Sequence, residues 1–112
     1  MINWLKQLRT KTVQPPPITD FSDLEGNPIH LVLYQYASCP FCRMVQSALR
    51  SLNYDISQKD TLRDKNARQE LYHTGGKNQV PCLFINGKPL YESRDIIRFL
   101  QTQIQPKSPP GA

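Results

Sequence analysis

Two cysteines separated by two residues, Cys39 and Cys42, are the side chains of this sequence best suited to covalent chemistry. Pro40 follows the first cysteine and fits the first position of a helix, because a helix start leaves that N–H unpaired in any case. Cys39 is then the N-cap, where backbone N–H groups and the positive end of the helix dipole stabilise a thiolate. Cys42 lies one turn further along the same face, within reach of that sulfur. The spacing predicts a redox-active dithiol with Cys39 as the nucleophile.

The residues on either side of this motif predict the strand and the helix that position it. Residues 29–36 are mostly apolar or aromatic and contain neither glycine nor proline, which is typical of a buried strand. After the motif, apolar residues recur at the spacing of an amphipathic helix, at Val45, Ala48, Leu49 and Leu52. A strand, then Cys-X-X-Cys, then a helix is the context in which this motif carries redox chemistry.

A zinc half-site and a pair of inert structural cysteines are the alternatives. Structural zinc takes four ligands, and the other candidates are Cys82, His30 and His73, no two of which are spaced as a pair. His73 is expected near the end of a helix, where a cation is favourable. Cys82 lies in an apolar run and is expected to pack as a small hydrophobic residue. We therefore expect no metal site.

Length and charge restrict the class of protein. The chain has 112 residues, which suits one domain. Its formal net charge of +5 suits anionic small thiols but is too widely spread to indicate nucleic-acid binding. Three cysteines without a secretory signal favour a reducing compartment, and we expect a cytoplasmic monomer. No stretch has the length of a membrane span.

Ten prolines, clustered towards the two ends, predict how the chain is divided. Residues 1–27 are expected to be an N-terminal extension with a proline-rich linker, residues 28–105 a globular domain, and residues 106–112 a disordered tail. Residues 1–13 have the pattern of a short basic amphipathic helix. Such a helix either contacts an anionic membrane surface or docks on the domain.

The first half of the globular part is expected to continue with a strand and a helix. Residues 53–57 predict a second strand, parallel to the first one with a right-handed crossover. Asp60 or Thr61 is expected to cap a second helix, which the Gly75-Gly76 pair ends. The apolar face of that helix is Leu62, Ala67 and Leu71.

The second half predicts a hairpin and a last helix. Residues 80–85 form a third strand, and Asn86-Gly87 predicts a two-residue type I′ turn into an antiparallel edge strand that contains Pro89. Ser93 is expected to cap the last helix, whose apolar face is Ile96, Ile97, Leu100 and Ile104. The predicted class is α/β: a four-stranded mixed sheet in the order β-α-β-α-β-β-α, with helices on both faces.

Three motifs in this order resemble the glutaredoxin branch of the thioredoxin-fold superfamily. They are Cys-Pro-Phe-Cys at 39–42, Val-Pro-Cys at 80–82 and Leu-Tyr-Glu-Ser-Arg-Asp-Ile at 90–96. Where this chain has the Glu-Ser pair, small glutaredoxins typically have Gly-Gly instead. That pair is similar to the N-terminal module of glutathione transferases. The resemblance implies a thioredoxin-like fold with glutathione as co-substrate.

The resemblance also implies roles for single residues. Pro81 is expected to be cis, so that the Val80 backbone pairs with the cysteinyl part of glutathione beside Cys39. Glu92 and Ser93, at the start of the last helix, are expected to bind the γ-glutamyl group. Pro40 and Phe41 complete this set of glutathione-binding residues.

Two departures from small glutaredoxins concern the strength of binding. The lysine that they carry three residues before the first cysteine is Tyr36 here, and the threonine before their Val-Pro pair is Gln79. The glycyl carboxylate of glutathione is assigned to Lys77 or Gln79, from their position in the loop.

The expected function is a glutathione-dependent thiol–disulfide oxidoreductase that reduces protein–glutathione mixed disulfides or protein disulfides through the Cys39 thiolate. Its expected partners are glutathione and disulfide-bonded or glutathionylated proteins. One alternative is an iron–sulfur carrier in which two chains and two glutathiones hold a cluster through Cys39, although such carriers mostly have glycine where Pro40 stands. The other alternative is a transferase-like glutathione-binding module.

Overall fold

A four-stranded mixed sheet forms the centre of the fold. The computed structural model describes residues 15–107. Its strands are β1 (Phe21–Asp23), β2 (Pro28–Ile29), β3 (Leu31–Gln35), β4 (Ser57–Asp60), β5 (Cys82–Ile85), β6 (Lys88–Tyr91) and β7 (Ile104–Pro106), and its helices are α1 (Pro40–Leu52), α2 (Lys65–Gly75) and α3 (Ser93–Thr102). The central sheet has the order β4-β3-β5-β6, with β4 parallel to β3 and the other pairs antiparallel. The predicted element order and mixed sheet are confirmed.

The helices cover both faces of this sheet, as predicted. On one face, Leu33 and Leu83 pack against α1 and α3, whose fully buried side chains include Val45, Ile96 and Leu100. On the other face, Tyr34, Cys82 and Phe84 pack against α2 through Ala67 and Leu71. Successive residues of a strand point to opposite faces, so Leu33 and Tyr34 belong to different cores. The strand that leads to Cys39 is therefore buried on both sides.

Local sequence explains the two ends of α1 and the hairpin. Cys39 is the N-cap of α1 and Pro40 its first residue, as predicted. The helix ends at Asn53, whose positive φ of 58° directs its N–H back to the carbonyl oxygens of the last turn. Asn86 and Gly87 have φ values of 49° and 83°, which are the positive values that a type I′ turn requires.

The second helix begins later than predicted. Its N-cap is Asp64, whose carboxylate accepts hydrogen bonds from the N–H groups of Asn66 and Ala67. The expected cap, Asp60, instead closes the turn after β4 by accepting from the N–H groups of two following residues, Leu62 and Arg63. Leu62 therefore precedes the helix and is 63% exposed, so its assignment to the apolar face was wrong. Gly76 ends the helix in the left-handed conformation, as expected.

The second strand, β4, lies further along the chain than the predicted residues 53–57. Two buried or half-buried apolar residues suggested the earlier position. Tyr54 forms an isolated parallel bridge with Ile18, and Ile56 packs into the core before the strand begins. The pairing of β4 itself is made by a polar stretch, in which Ser57 lies opposite Val32.

A second, three-stranded sheet was not predicted. It has the order β2-β1-β7, with both pairs antiparallel, and it joins the beginning of the described chain to its end. Residues 29–36 are therefore not one strand, because Ile29 pairs with Phe21 in this sheet. Ile104 was expected on the last helix, but it lies in β7 and is buried in the same core as Phe21.

This second sheet moves both predicted boundaries of the globular domain. The fold extends before residue 28, because Phe21 is buried and the N–H of Ile18 donates to the Asn53 carbonyl over 2.9 Å. It also extends past residue 105, because the N–H of Lys107 donates to the Asp20 carbonyl over 2.9 Å. The predictions for residues 1–13 and for the last five residues lie outside the described residues. Within residues 15–107, no helix has both the length and the apolar character needed to cross a membrane.

Candidate active site

Cys39 lies where β3 turns into α1, and its sulfur is held by the first turn of the helix. Its Sγ accepts a hydrogen bond from the Cys42 N–H over 3.3 Å, as an N-cap side chain does. The carbonyl oxygen of Val80 lies 4.0 Å from the same sulfur. The residue is 6% exposed, so only its edge faces solvent. The predicted N-cap position of this sulfur is confirmed.

Cys42 has a different environment, although it lies only three residues away. Its side chain is 1% exposed, and all three cysteines are reduced. Burial, followed by a hydrogen bond with Cys39, raises the pKa of the Cys42 thiol to about 12. The pair is therefore asymmetric: one sulfur lies at the helix start, and the other is a buried neutral thiol.

The third cysteine lies in the core on the far side of the sheet. Cys82 is fully buried among residues that pack against α2, and burial raises the pKa of its thiol to about 11. The predicted role of Cys82 as a small hydrophobic residue agrees with this position.

A groove of about 480 Å³ opens beside the dithiol. That volume is within the range of roughly 300–1,000 Å³ that is common for small-molecule sites. Five of the six residues assigned to glutathione contribute to its wall, and the Val80–Pro81 bond is cis, as the resemblance implied. The groove is lined by Phe41, Gln79, Val80, Pro81, Glu92, Ser93, Arg94 and Asp95.

Pro40, the sixth of the residues assigned to glutathione, does not line the groove, and neither does Lys77. Pro40 lies at the exposed first position of α1 and shapes the helix start rather than the groove wall. Lys77, one of the two candidates for the glycyl carboxylate, extends over the Tyr91 ring, with its Nζ 4.8 Å from the ring centroid. Its ammonium is thus engaged with an aromatic ring. Gln79, the other candidate, remains in the wall.

Glu92 adopts an unusual backbone conformation at the edge of the groove. Its φ of 75° and ψ of 118° turn the chain directly from β6 into α3, and it is the N-cap of that helix. Its side chain makes no capping bond; its carboxylate instead accepts a hydrogen bond from the Gln79 amide over 3.3 Å. A positive φ at a residue other than glycine is uncommon, and such residues cluster at functional sites.

Ser93 was expected to be the cap of α3, but it is the first residue of the helix and is buried. The first hydrogen bond within the helix is donated by Ile96 to the Glu92 carbonyl. The N–H groups of the preceding turn therefore have no acceptor within the helix, which makes this end suited to an anion. Asp95, in the same turn, adds a carboxylate to the wall.

Arg94 and Asp95 are the groove residues that sequence reasoning did not assign. The available signal was their position in the first turn of α3, directly after the Glu-Ser pair. Side chains in the first turn of a helix lie close to a ligand that binds at the start of that helix.

A hydrogen bond from β6 holds the loop that carries Gln79. The hydroxyl of Tyr91 donates to the Lys77 carbonyl over 3.1 Å. Gly75 allows this approach, because a Cβ at that residue would collide with the Tyr91 hydroxyl. The groove wall thus depends on a contact made outside the groove. Within residues 15–107, no group of three His, Cys, Asp or Glu side chains converges as metal ligands do.

Comparison with known proteins agrees with this geometry. Residues 33–108 match the model of the family described as "Glutathione S-transferase, N-terminal domain". The chain is 35% identical to prostaglandin E synthase 2 of Danio rerio over 92 residues, which are 80% of this chain but 23% of that protein. The chain therefore spans about a quarter of the length of this curated relative.

Solved structures of the thioredoxin type are similar to the fold. A thioredoxin-like protein is matched with a TM-score of 0.56 and 25% identity, over 63% of this chain and 94% of that one. Glutaredoxin C1 of Populus tremula × tremuloides is matched with a TM-score of 0.52 and 22% identity, over 63% of this chain and 73% of that one. At this identity, the second likeness shows the thioredoxin-like fold alone.

Proposed function

Because the chain belongs to the family of glutathione S-transferase N-terminal domains, with a glutaredoxin-like thioredoxin fold, we propose that it is a glutathione-dependent thiol–disulfide oxidoreductase. One observation carries the proposal: the Cys39 sulfur lies at a helix start, 4.0 Å from the carbonyl of a residue that lines a ligand-sized groove. A nucleophile and a binding groove therefore meet at Val80. The substrates are protein–glutathione mixed disulfides and protein disulfides.

The first step is an exchange at sulfur. The Cys39 thiolate attacks the glutathionyl sulfur of a mixed disulfide, a new S–S bond forms to Cys39, and the protein thiolate leaves and takes a proton from water. The N–H of Cys42, which already bonds the Cys39 sulfur, stabilises the attacking charge without reorganisation. The protein substrate is reduced, and Cys39 is left carrying glutathione.

The second step is best performed by another glutathione. Its thiolate attacks the glutathionyl sulfur on Cys39, which releases oxidised glutathione and restores the Cys39 thiolate. Cys42 is the internal competitor for this step, but its thiol has a pKa of about 12 and is almost entirely protonated near neutral pH. We therefore assign the main route to a single cysteine, with Cys42 as a slower resolving group.

Recognition of glutathione is assigned to the groove residues. The Val80 backbone pairs with the cysteinyl part, as an added strand does. The ammonium of the γ-glutamyl group meets the carboxylates of Glu92 and Asp95, and its carboxylate meets the first N–H groups of α3. Gln79 donates to the Glu92 carboxylate and therefore belongs to the γ-glutamyl end of the groove, so it does not serve the glycyl carboxylate. This reaction requires reduced cysteines, so we place the protein in a reducing compartment such as the cytoplasm.

A glutathione-coupled assay on a small mixed disulfide tests this function. We expect Cys39→Ser to abolish turnover and Cys42→Ser to keep most of it, because only Cys39 lies at the helix start. Cys82→Ala is the control for loss of a cysteine outside the site. If Cys42→Ser is as inactive as Cys39→Ser, the single-cysteine route is wrong and a thioredoxin-like dithiol mechanism replaces it.

The relative from Danio rerio favours a second candidate, a synthase reaction on a prostaglandin precursor. Such a lipid carries a long apolar chain, and Phe41 offers an exposed ring at the wall of the groove. The chain covers about a quarter of that relative, so this activity is proposed for the groove alone. Competition by a prostaglandin in the glutathione-coupled assay tests it. An inhibition constant unchanged by Phe41→Ala removes this candidate.

A further inference from the structure

A second groove, which we call the arginine groove, lies beside the dithiol and is separate from the glutathione groove. It has a volume of about 460 Å³ and is lined in part by Tyr36, Cys42, Arg43, Gln46 and Arg50. The two grooves share no lining residue. The Cys-X-X-Cys turn contributes Phe41 to the first and Cys42 to the second, so the grooves flank the reactive pair.

The two grooves differ in charge. Two exposed arginines, Arg43 and Arg50, line the arginine groove, and among the described residues no acidic side chain does. Within residues 15–107, neither guanidinium forms a salt bridge with a carboxylate. The glutathione groove instead carries the carboxylates of Glu92 and Asp95 beside one arginine. The arginine groove therefore presents two cations that attract carboxylates.

The spacing of the two arginines fits an extended acidic peptide. They are seven residues apart on α1, which places their Cα atoms about 10 Å apart along the helix axis. A peptide in the polyproline II conformation rises roughly 3.1 Å per residue and repeats every three residues, so side chains three apart are about 9 Å apart on one face. Gln46, between the arginines, pairs its side-chain amide with that of Gln58, so the two arginines are the groups that the arginine groove offers to a peptide.

We propose that the arginine groove binds an acidic segment beside the disulfide of the protein substrate, while glutathione occupies the other groove. The identification of the bound segment as part of a disulfide substrate rests on the proposed function. The arginines hold the carboxylates of the segment while the Cys39 thiolate attacks the disulfide, and the released protein thiolate takes its proton from water. Substrate preference is therefore set on α1, outside the glutathione site.

The test compares glutathionylated peptides that share one cysteine core and differ in their flanks, which are Asp-rich, neutral or Lys-rich. The measured quantity is the ratio of kcat/KM on the acidic peptide to kcat/KM on the basic one. An exposed ion pair changes affinity by about two- to fivefold, so the double variant Arg43→Glu with Arg50→Glu should lower the ratio by roughly tenfold or more. The matched control is the double variant Arg63→Glu with Arg68→Glu, which also changes the net charge by four. Both arginines are exposed and line neither groove, so this variant should leave the ratio within about twofold.

Fluorescence anisotropy with peptides in which serine replaces cysteine separates this proposal from the proposed function. We expect the parent to bind the acidic peptide more tightly than the basic one, and the Arg43→Glu, Arg50→Glu variant to lose this preference. If no peptide is reduced but the binding preference follows the arginines, the reaction is wrong and the docking site stands. If all peptides are reduced equally, or the Arg63→Glu, Arg68→Glu control changes the ratio as much as the Arg43→Glu, Arg50→Glu variant, the docking proposal is overturned.

Discussion

At the scale of single residues, burial separates the reactivity of the cysteines. A thiol with a pKa of about 12, as in Cys42, is ionised in about one molecule in ten thousand at pH 8. Cys82 is similarly protected by burial. We predict that iodoacetamide at pH 8 alkylates Cys39 first and leaves the other two cysteines unmodified until the protein is unfolded in urea. Peptide mapping by mass spectrometry measures this order. Labelling of Cys42 at the rate of Cys39 in the folded protein would contradict the asymmetry.

Substitution of Glu92 tests the proposed recognition of glutathione. Its carboxylate faces the groove, and Glu92→Gln keeps its shape while removing the charge. A hydrogen bond to a charged group contributes about 1.5–3 kcal/mol, so kcat/KM with a glutathionylated peptide should fall by about tenfold or more.

The matched control for Glu92→Gln is reduction of an aromatic disulfide that lacks glutathione. This reaction should change little, because the Cys39 sulfur lies at the start of α1 and not of α3. The decisive quantity is the ratio of the two efficiencies, variant against parent. A ratio that does not move would mean that Glu92 only shapes the start of α3 and holds Gln79.

At the scale of elements, α2 depends on one N-cap. The Asp64 carboxylate accepts two backbone N–H groups, and replacing an N-cap aspartate by alanine costs about 1 kcal/mol. We predict that Asp64→Ala lowers the free energy of unfolding by about that amount in urea denaturation. Asp55→Ala is the control, because Asp55 is exposed and its side chain accepts no hydrogen bond within residues 15–107. Equal losses in both variants would show that Asp64 does not cap the helix.

Elements whose boundaries are marked by one strong local signal were predictable from sequence. Boundaries for which several neighbouring residues were equally suitable were not. Pro40 and the Asn86-Gly87 pair each permit few backbone conformations, so the start of α1 and the hairpin were predicted correctly. Asp60, Thr61 and Asp64 are all suitable caps by residue type, and only tertiary packing of Ala67 and Leu71 selects Asp64. The register of β4 was missed because buried apolar residues precede a strand that is itself polar.

At the scale of the whole molecule, the unpredicted sheet ties the two ends of the described chain together. Phe21 in β1 packs edge-on against Tyr54, with ring centroids 4.7 Å apart, and shares the core with Ile104. Pairing between β1 and β7 joins residues about eighty positions apart, and no local periodicity reports such a contact. The Cys-X-X-Cys motif and the Val-Pro pair, in contrast, are local signals and were found.

Truncation and substitution test where the fold begins. We predict that removal of residues 1–17 preserves a single cooperative unfolding transition, with a loss of about 1 kcal/mol for the bond from the Asn53 amide to the Pro16 carbonyl.

Phe21→Ala in the full chain should lower the free energy of unfolding by about 3–5 kcal/mol, because it empties a buried site. Urea denaturation followed by circular dichroism measures both. A Phe21→Ala variant as stable as the parent would restore the sequence-based boundary at residue 28.

The proposed reaction requires the Cys39 sulfur to accept a glutathionyl group. The most direct measurement is the mass of the intact Cys42→Ser protein after incubation with oxidised glutathione, followed by peptide mapping of the product. We expect one glutathionyl group per chain, on Cys39, and release of that group by added glutathione. Cys39→Ser treated in the same way should gain none. An adduct on Cys82, or an equal adduct on the Cys39→Ser protein, would show that Cys39 is not the specific acceptor.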